Sequence, residues 1–153
     1  DLSYAYLAGL TEETLKFAAI YFHIRKKTDF DEPMDAIVYG TLISLGFATL
    51  ENFQYVYSAG NPDFIATLRA FTAIPLHACC GIIMGYYFGL YIFKDKNRLN
   101  LFKSLFLAIA FHASYNYFAT RNVLLMFFVL IVLIMFAKKL HKLLKAEQLS
   151  KQS

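Results

Sequence analysis

Charge is what this chain has least of. Charged residues make up 17% of its 153 residues, while hydrophobic residues make up 58% and the mean hydropathy is +0.46. A soluble globular chain carries about 25% charged and roughly 45–50% apolar residues. A water-soluble domain of this size could not hide so much apolar surface, which excludes a large soluble domain and a nucleic-acid-binding module. The two cysteines, Cys79 and Cys80, are adjacent; helical neighbours point in different directions, so they do not form a disulfide with each other, and no CxxC or Cys/His zinc-finger spacing exists. There is no GxSxG turn for a serine nucleophile, and the cysteine pair has no obvious activating base. No internal repeat and no low-complexity segment occurs. Residues 1–24 have no initiating Met, no positive n-region and no cleavage pattern, so they do not read as a signal peptide. The chain is expected to begin inside a larger coding sequence, with room for further spans upstream.

What is present is a series of apolar stretches at about 1–24, 35–58, 64–93, 101–119 and 122–137. Each is near the ~20 residues that cross a ~30 Å hydrocarbon core. Arg25-Lys26-Lys27 follows the first, Lys94, Lys96, Arg98 and Lys103 follow the third, and Lys138, Lys139, Lys142, Lys145 and Lys151 follow the fifth. These alternate connections hold twelve of the fifteen basic residues. By the positive-inside rule the N-terminus is expected outside and the C-terminus in the cytoplasm. The predicted fold is therefore an all-α, polytopic membrane bundle of about five transmembrane helices over residues 1–137, with a basic amphipathic tail at 138–153 lying on the anionic leaflet. Thr28–Pro33 reads as a polar turn, and Asp63 as the N-cap of the third helix.

The informative residues are polar ones inside these spans. The first carries Glu12, Glu13 and Lys16, each costing about 2.5–3.5 kcal/mol at a helix centre, where Leu, Ile and Phe return only about 0.3–0.6 each. This helix must be buried against partners. Lys16 can pair with either glutamate at helical spacing but cannot neutralise both, which leaves a carboxyl for acid–base work. The second span presents Gly40, Ser44, Phe47, Glu51 and Tyr55 on one face, with Asn52 beside Glu51. The third carries His77, then Gly81, Gly85 and Gly89 at four-residue steps, a ladder that admits close helix packing; Arg69 is expected to snorkel toward the outer end. The fourth has His112 and Asn116 on one face. The fifth has nothing polar between Val123 and Ala137 and reads as a lipid-facing anchor. At about 1.5 Å per residue, Glu12, Glu51, His77 and His112 fall at overlapping depths, so four helices are expected to share one polar site.

Two chemistries fit these residues. Two His and a carboxylate form a catalytic zinc set, which Glu51, His77 and His112 supply, with Glu12 or Glu13 as base toward water. Without metal, a glutamate activates water, one His orients it, and His112 and Asn116 donate to the oxyanion. Both hydrolyse an amide inside the membrane. A transporter with a buried proton relay and a non-catalytic membrane scaffold or chaperone are the competing classes.

The segments EETLK at 12–16, FATLEN at 47–52, HACCG at 77–81 and HASYN at 112–116 resemble, in order and placement, the four motifs of the PrsW family of intramembrane proteases. More distantly they resemble the type II CAAX prenyl endopeptidases and the wider CPBP group. The resemblance covers about residues 1–120. It implies a membrane endopeptidase of the prokaryotic plasma membrane, of metallo or glutamic type, with Glu12, Glu13, Glu51, His77 and His112 as its active site. The relatives' last motif maps onto His112 and Asn116, and Asn is a poorer metal ligand than Asp. The implied partner is a single-span, anti-sigma-factor-like membrane protein as substrate, beside the lipid bilayer and with no nucleic acid.

Overall fold

The computed structural model describes residues 2–152; Asp1, Ser153 and the side chains of residues 2–5, 151 and 152, which belong to the expected bundle and tail, lie outside the described residues. Within them the chain is mostly helical, with no strand: α1 (Leu2–Phe22), α2 (Pro33–Tyr57), α3 (Pro62–Phe71), α4 (Ala73–Leu90), α5 (Arg98–Ala119) and α6 (Val123–Gln152). A 3₁₀ turn at Ile24–Lys26 follows α1, and a π turn at Tyr91–Asp95 extends α4.

Local chemistry sets the ends. Glu32 and Asp35 cap α2 reciprocally, with Pro33 in the first turn where its missing N–H costs nothing. The cap of α3 is Asn61, whose side-chain oxygen accepts from the Phe64 N–H at 3.2 Å. That corrects the expectation for Asp63, which sits in the first turn instead. The expected third span is broken at Thr72 into α3 and α4. Pro75 explains the break: it has no N–H to give the Phe71 carbonyl, and its ring would collide with that carbonyl in a continuous helix.

Three segments are long and apolar enough to cross a membrane: Pro33–Tyr57, Pro62–Asp95 and Val123–Ser150. The helices outside that set, α1 and α5, carry Glu12, Glu13 and Lys16, and His112 and Asn116. They pack against each other instead of standing alone. At Gly9, an added Cβ would lie 3.0 Å from the Ala113 backbone nitrogen. This close approach brings Glu13, one turn after Gly9, to the level of His112.

Helix α4 is the centre of the bundle, against α2, α5 and α6. Its glycine ladder packs backbone to backbone on α2. A Cβ at Gly81 would meet the Gly40 carbonyl at 2.6 Å, and one at Gly85 would run into the Ala36 carbonyl. Leu76, Ile83, Met84 and Phe88 fill the core with Ile20, Ala108 and Leu133. Helix α6 differs from a plain lipid-facing anchor. Met126, Leu130, Leu133, Ala137, Leu140 and Leu144 are buried while Leu124, Phe128, Ile131 and Met135 are exposed. The buried set steps by four and three, the spacing of a coiled-coil seam, and runs without a helix break past residue 137.

Candidate active site

The charged residues of α1 meet the polar residues of α2, α4 and α5 in the interior. Lys16 is fully buried, with Nζ donating to Glu13 Oε1 at 2.6 Å and to His77 Nδ1 at 2.9 Å, and lying 3.6 Å from Glu12 Oε2. A buried ammonium survives only with such partners. Because the ammonium can only donate, His77 Nδ1 accepts, and Nε2 carries the proton and donates to Glu51 Oε2 at 3.0 Å. On α5, His112 Nδ1 lies 2.7 Å from Glu13 Oε1. A carboxylate accepts only, so His112 donates through Nδ1 and keeps a lone pair on Nε2. The His77 and His112 rings are edge to face with centroids 5.0 Å apart.

Glu51 is held from a second side. Arg69 Nη2 donates to Glu51 Oε2 at 2.7 Å and its Nε to Asn52 Oδ1 at 2.5 Å, while its guanidinium stacks 4.0 Å from the centroid of the Tyr55 ring. Arg69 thus turns inward rather than snorkelling, because the Glu51 carboxylate and the Tyr55 face replace the water it leaves. Sequence reasoning missed it as a site residue. The signal available was Glu51 itself, a buried carboxylate that needs a cation.

Asn116 sits one turn beyond His112, half-buried on the wall of a cavity of about 550 Å³ that Tyr55, Arg69, Thr72 and Tyr115 also line. Cys79 and Cys80 are free and buried, with the Cys80 thiol directed at the Ala108 carbonyl, and they serve packing.

The residues that could share one ion are Glu12, His77 and His112, whose ligand atoms lie within 4.8 Å of one another; His77 would ligate through Nδ1, in place of the Lys16 ammonium that this nitrogen accepts from here. Two imidazoles and a carboxylate suit zinc. Glu12 Oε2 and Glu13 Oε2 are buried without a hydrogen-bond partner, acceptor capacity that a cation would satisfy. Glu51, grouped with the two histidines on sequence grounds, lies one step out, bonded to His77 and Arg69. Glu13 stands behind His112 in the same way, the arrangement in which a carboxylate fixes the ring of a ligating histidine.

Comparison with known proteins matches this chain to one family. The family model described as PrsW family intramembrane metalloprotease matches residues 1–138. The chain is similar to the protein named Protease PrsW of Geobacillus kaustophilus (strain HTA426), 41% identical over 111 residues, covering 72% of this chain and 48% of the relative. The Bacillus subtilis (strain 168) protein of that name is 40% identical over 115 residues, covering 74% and 52%. That of Clostridioides difficile (strain 630) is 34% identical over 116 residues, covering 72% and 49%. The chain spans about half the length of the curated relatives it matches. No solved structure gives a significant match.

Proposed function

The chain belongs to the PrsW family of intramembrane proteases, and from that premise we propose that it hydrolyses a peptide bond in the membrane-embedded part of a single-span protein, with water as nucleophile. The observation that carries this reading is the convergence of Glu12, His77 and His112 from three helices, with ligand atoms within 4.8 Å of one another.

Glu13 holds His112 through Nδ1, so the Nε2 lone pair accepts one hydrogen of a water beside Glu12. Glu12 takes the other proton as the water oxygen bonds to the scissile carbonyl carbon. The Asn116 carboxamide donates to the carbonyl oxygen as negative charge develops there. The C–N bond then breaks, and Glu12 returns the proton to the leaving amine. Arg69, Asn52 and Glu51 fix the His77 ring. With zinc bound, Glu12, His77 and His112 would be its ligands and it would supply Lewis-acid polarisation of the same carbonyl; the base toward water would then be Glu13, whose Oε2 has no hydrogen-bond partner. The 550 Å³ cavity beside Asn116 has room for a short unwound stretch of substrate. The setting is a prokaryotic plasma membrane, with the N-terminus outside and the basic end of α6, from residue 138 onward, at the cytoplasmic leaflet; an anti-sigma-factor-like protein is a fitting substrate.

The test is cleavage of a co-reconstituted single-span substrate by wild type, Glu12→Gln and Glu13→Gln. Each substitution keeps the side-chain shape, so the bundle should remain folded by its thermal unfolding profile. Cleavage should fall by about 100-fold or more in each. Normal cleavage by both variants would sink the proposal.

A further inference from the structure

The opposite end of the bundle from the Arg69 cavity has a second cavity, of about 490 Å³, lined by Arg25, Lys26, Tyr91, Ile92 and Lys96. Three cations from two chain segments converge there, Arg25 and Lys26 in the 3₁₀ turn after α1 and Lys96 just after the π turn that extends α4. Arg25 is held with its guanidinium carbon 3.9 Å from the centroid of the Tyr21 ring, which orders the plane and leaves its N–H edge free. Lys96 reaches the wall because its backbone is left-handed, φ 50°, the one non-glycine residue with positive φ among those described. That conformation favours Gly or Asn, yet a lysine stands in it. Among the described residues no carboxylate pairs with Arg25, Lys26 or Lys96. Asp95, next in sequence, is taken up by the Asn97 N–H and the Asn100 amide.

The cavity therefore combines unpaired positive charge with an apolar and aromatic wall, at the level where α1 and α4 end. We propose that it binds the phosphate headgroup of an anionic phospholipid, with Arg25, Lys26 and Lys96 on the phosphate and Tyr91 and Ile92 against the glycerol and first methylenes. Basic pockets between membrane helices recognise such headgroups, and the mixed lining favours a lipid over free phosphate. This is a discrete site, separate from the diffuse attraction of the Lys138–Lys145 segment for a charged leaflet, and it does not depend on the proteolytic reading.

Native mass spectrometry of the detergent-purified chain, titrated with dioleoyl phosphatidylglycerol or dioleoyl phosphatidylcholine, tests it. Wild type should retain one phosphatidylglycerol well above the phosphatidylcholine level. Arg25→Gln, Lys26→Gln and Lys96→Gln should each weaken retention about fivefold; all three are at the surface turns, where the fold tolerates them. A Lys138→Gln/Lys139→Gln/Lys142→Gln variant should behave as wild type. Equal retention of both lipids, unchanged retention in the pocket variants, or equal loss in the 138–142 variant would overturn the proposal. So would displacement of the lipid by inorganic phosphate at matched concentration, which would assign the cavity to a free anion.

Discussion

Lys16 is the residue on which the site's electrostatics turn. Its ammonium sits 2.6 Å from Glu13, 2.9 Å from His77 Nδ1 and 3.6 Å from Glu12, among three groups that are themselves metal-ligand types. It neutralises the carboxylates, and it competes with any other cation for them. Lys16→Met should therefore raise zinc affinity by about tenfold or more, since like charges a few ångströms apart in a low-dielectric interior repel strongly. Chelator competition measures it; unchanged or weaker binding would mean that Lys16 supports a loaded centre rather than opposing one. Glu12, Glu13, Glu51, His77 and His112 were legible as a group, because polar side chains in apolar spans are too costly to be incidental. Their pairing was not. Spacing relates residues within a helix, and the bonds that decide which carboxylate faces which histidine run between helices.

At the scale of elements, the closest packing is α2 on α4, where Gly81 and Gly85 leave no room for a side chain. Gly85→Leu should separate these helices and destabilise the bundle by about 1–3 kcal/mol or more, read as a lower midpoint in mixed-micelle unfolding. A leucine at the exposed and open Gly46 should leave that midpoint unchanged. Equal effects at both positions would contradict the packing role. The glycine ladder was readable because four-residue steps in an apolar helix have few other uses. The buried stripe of α6 was not, since a helix apolar on every face gives hydropathy nothing to choose between. The break at Thr72 was available in Pro75 and was hidden by the continuous apolar run around it.

At the scale of the molecule, the basic residues gather at one end, and the expected topology follows from them. A cysteine at the exposed loop position Gly60 should react with an impermeant maleimide from outside intact cells, while one at Lys145 should react only after permeabilisation; the reverse pattern would invert the topology. Cys79 and Cys80 are buried and should contribute little background. The proposed active centre exists only at this scale, because α1, α4 and α5 each supply one of Glu12, His77 and His112. The most direct measurement is zinc per chain, by elemental analysis of detergent-purified protein, in wild type, Glu12→Gln, His77→Ala and Glu51→Gln. The account predicts one zinc in wild type, none in Glu12→Gln or His77→Ala, and retention in Glu51→Gln, whose carboxylate lies one step out. Zinc kept by Glu12→Gln and lost from Glu51→Gln, or absent from active wild-type protein, would contradict it.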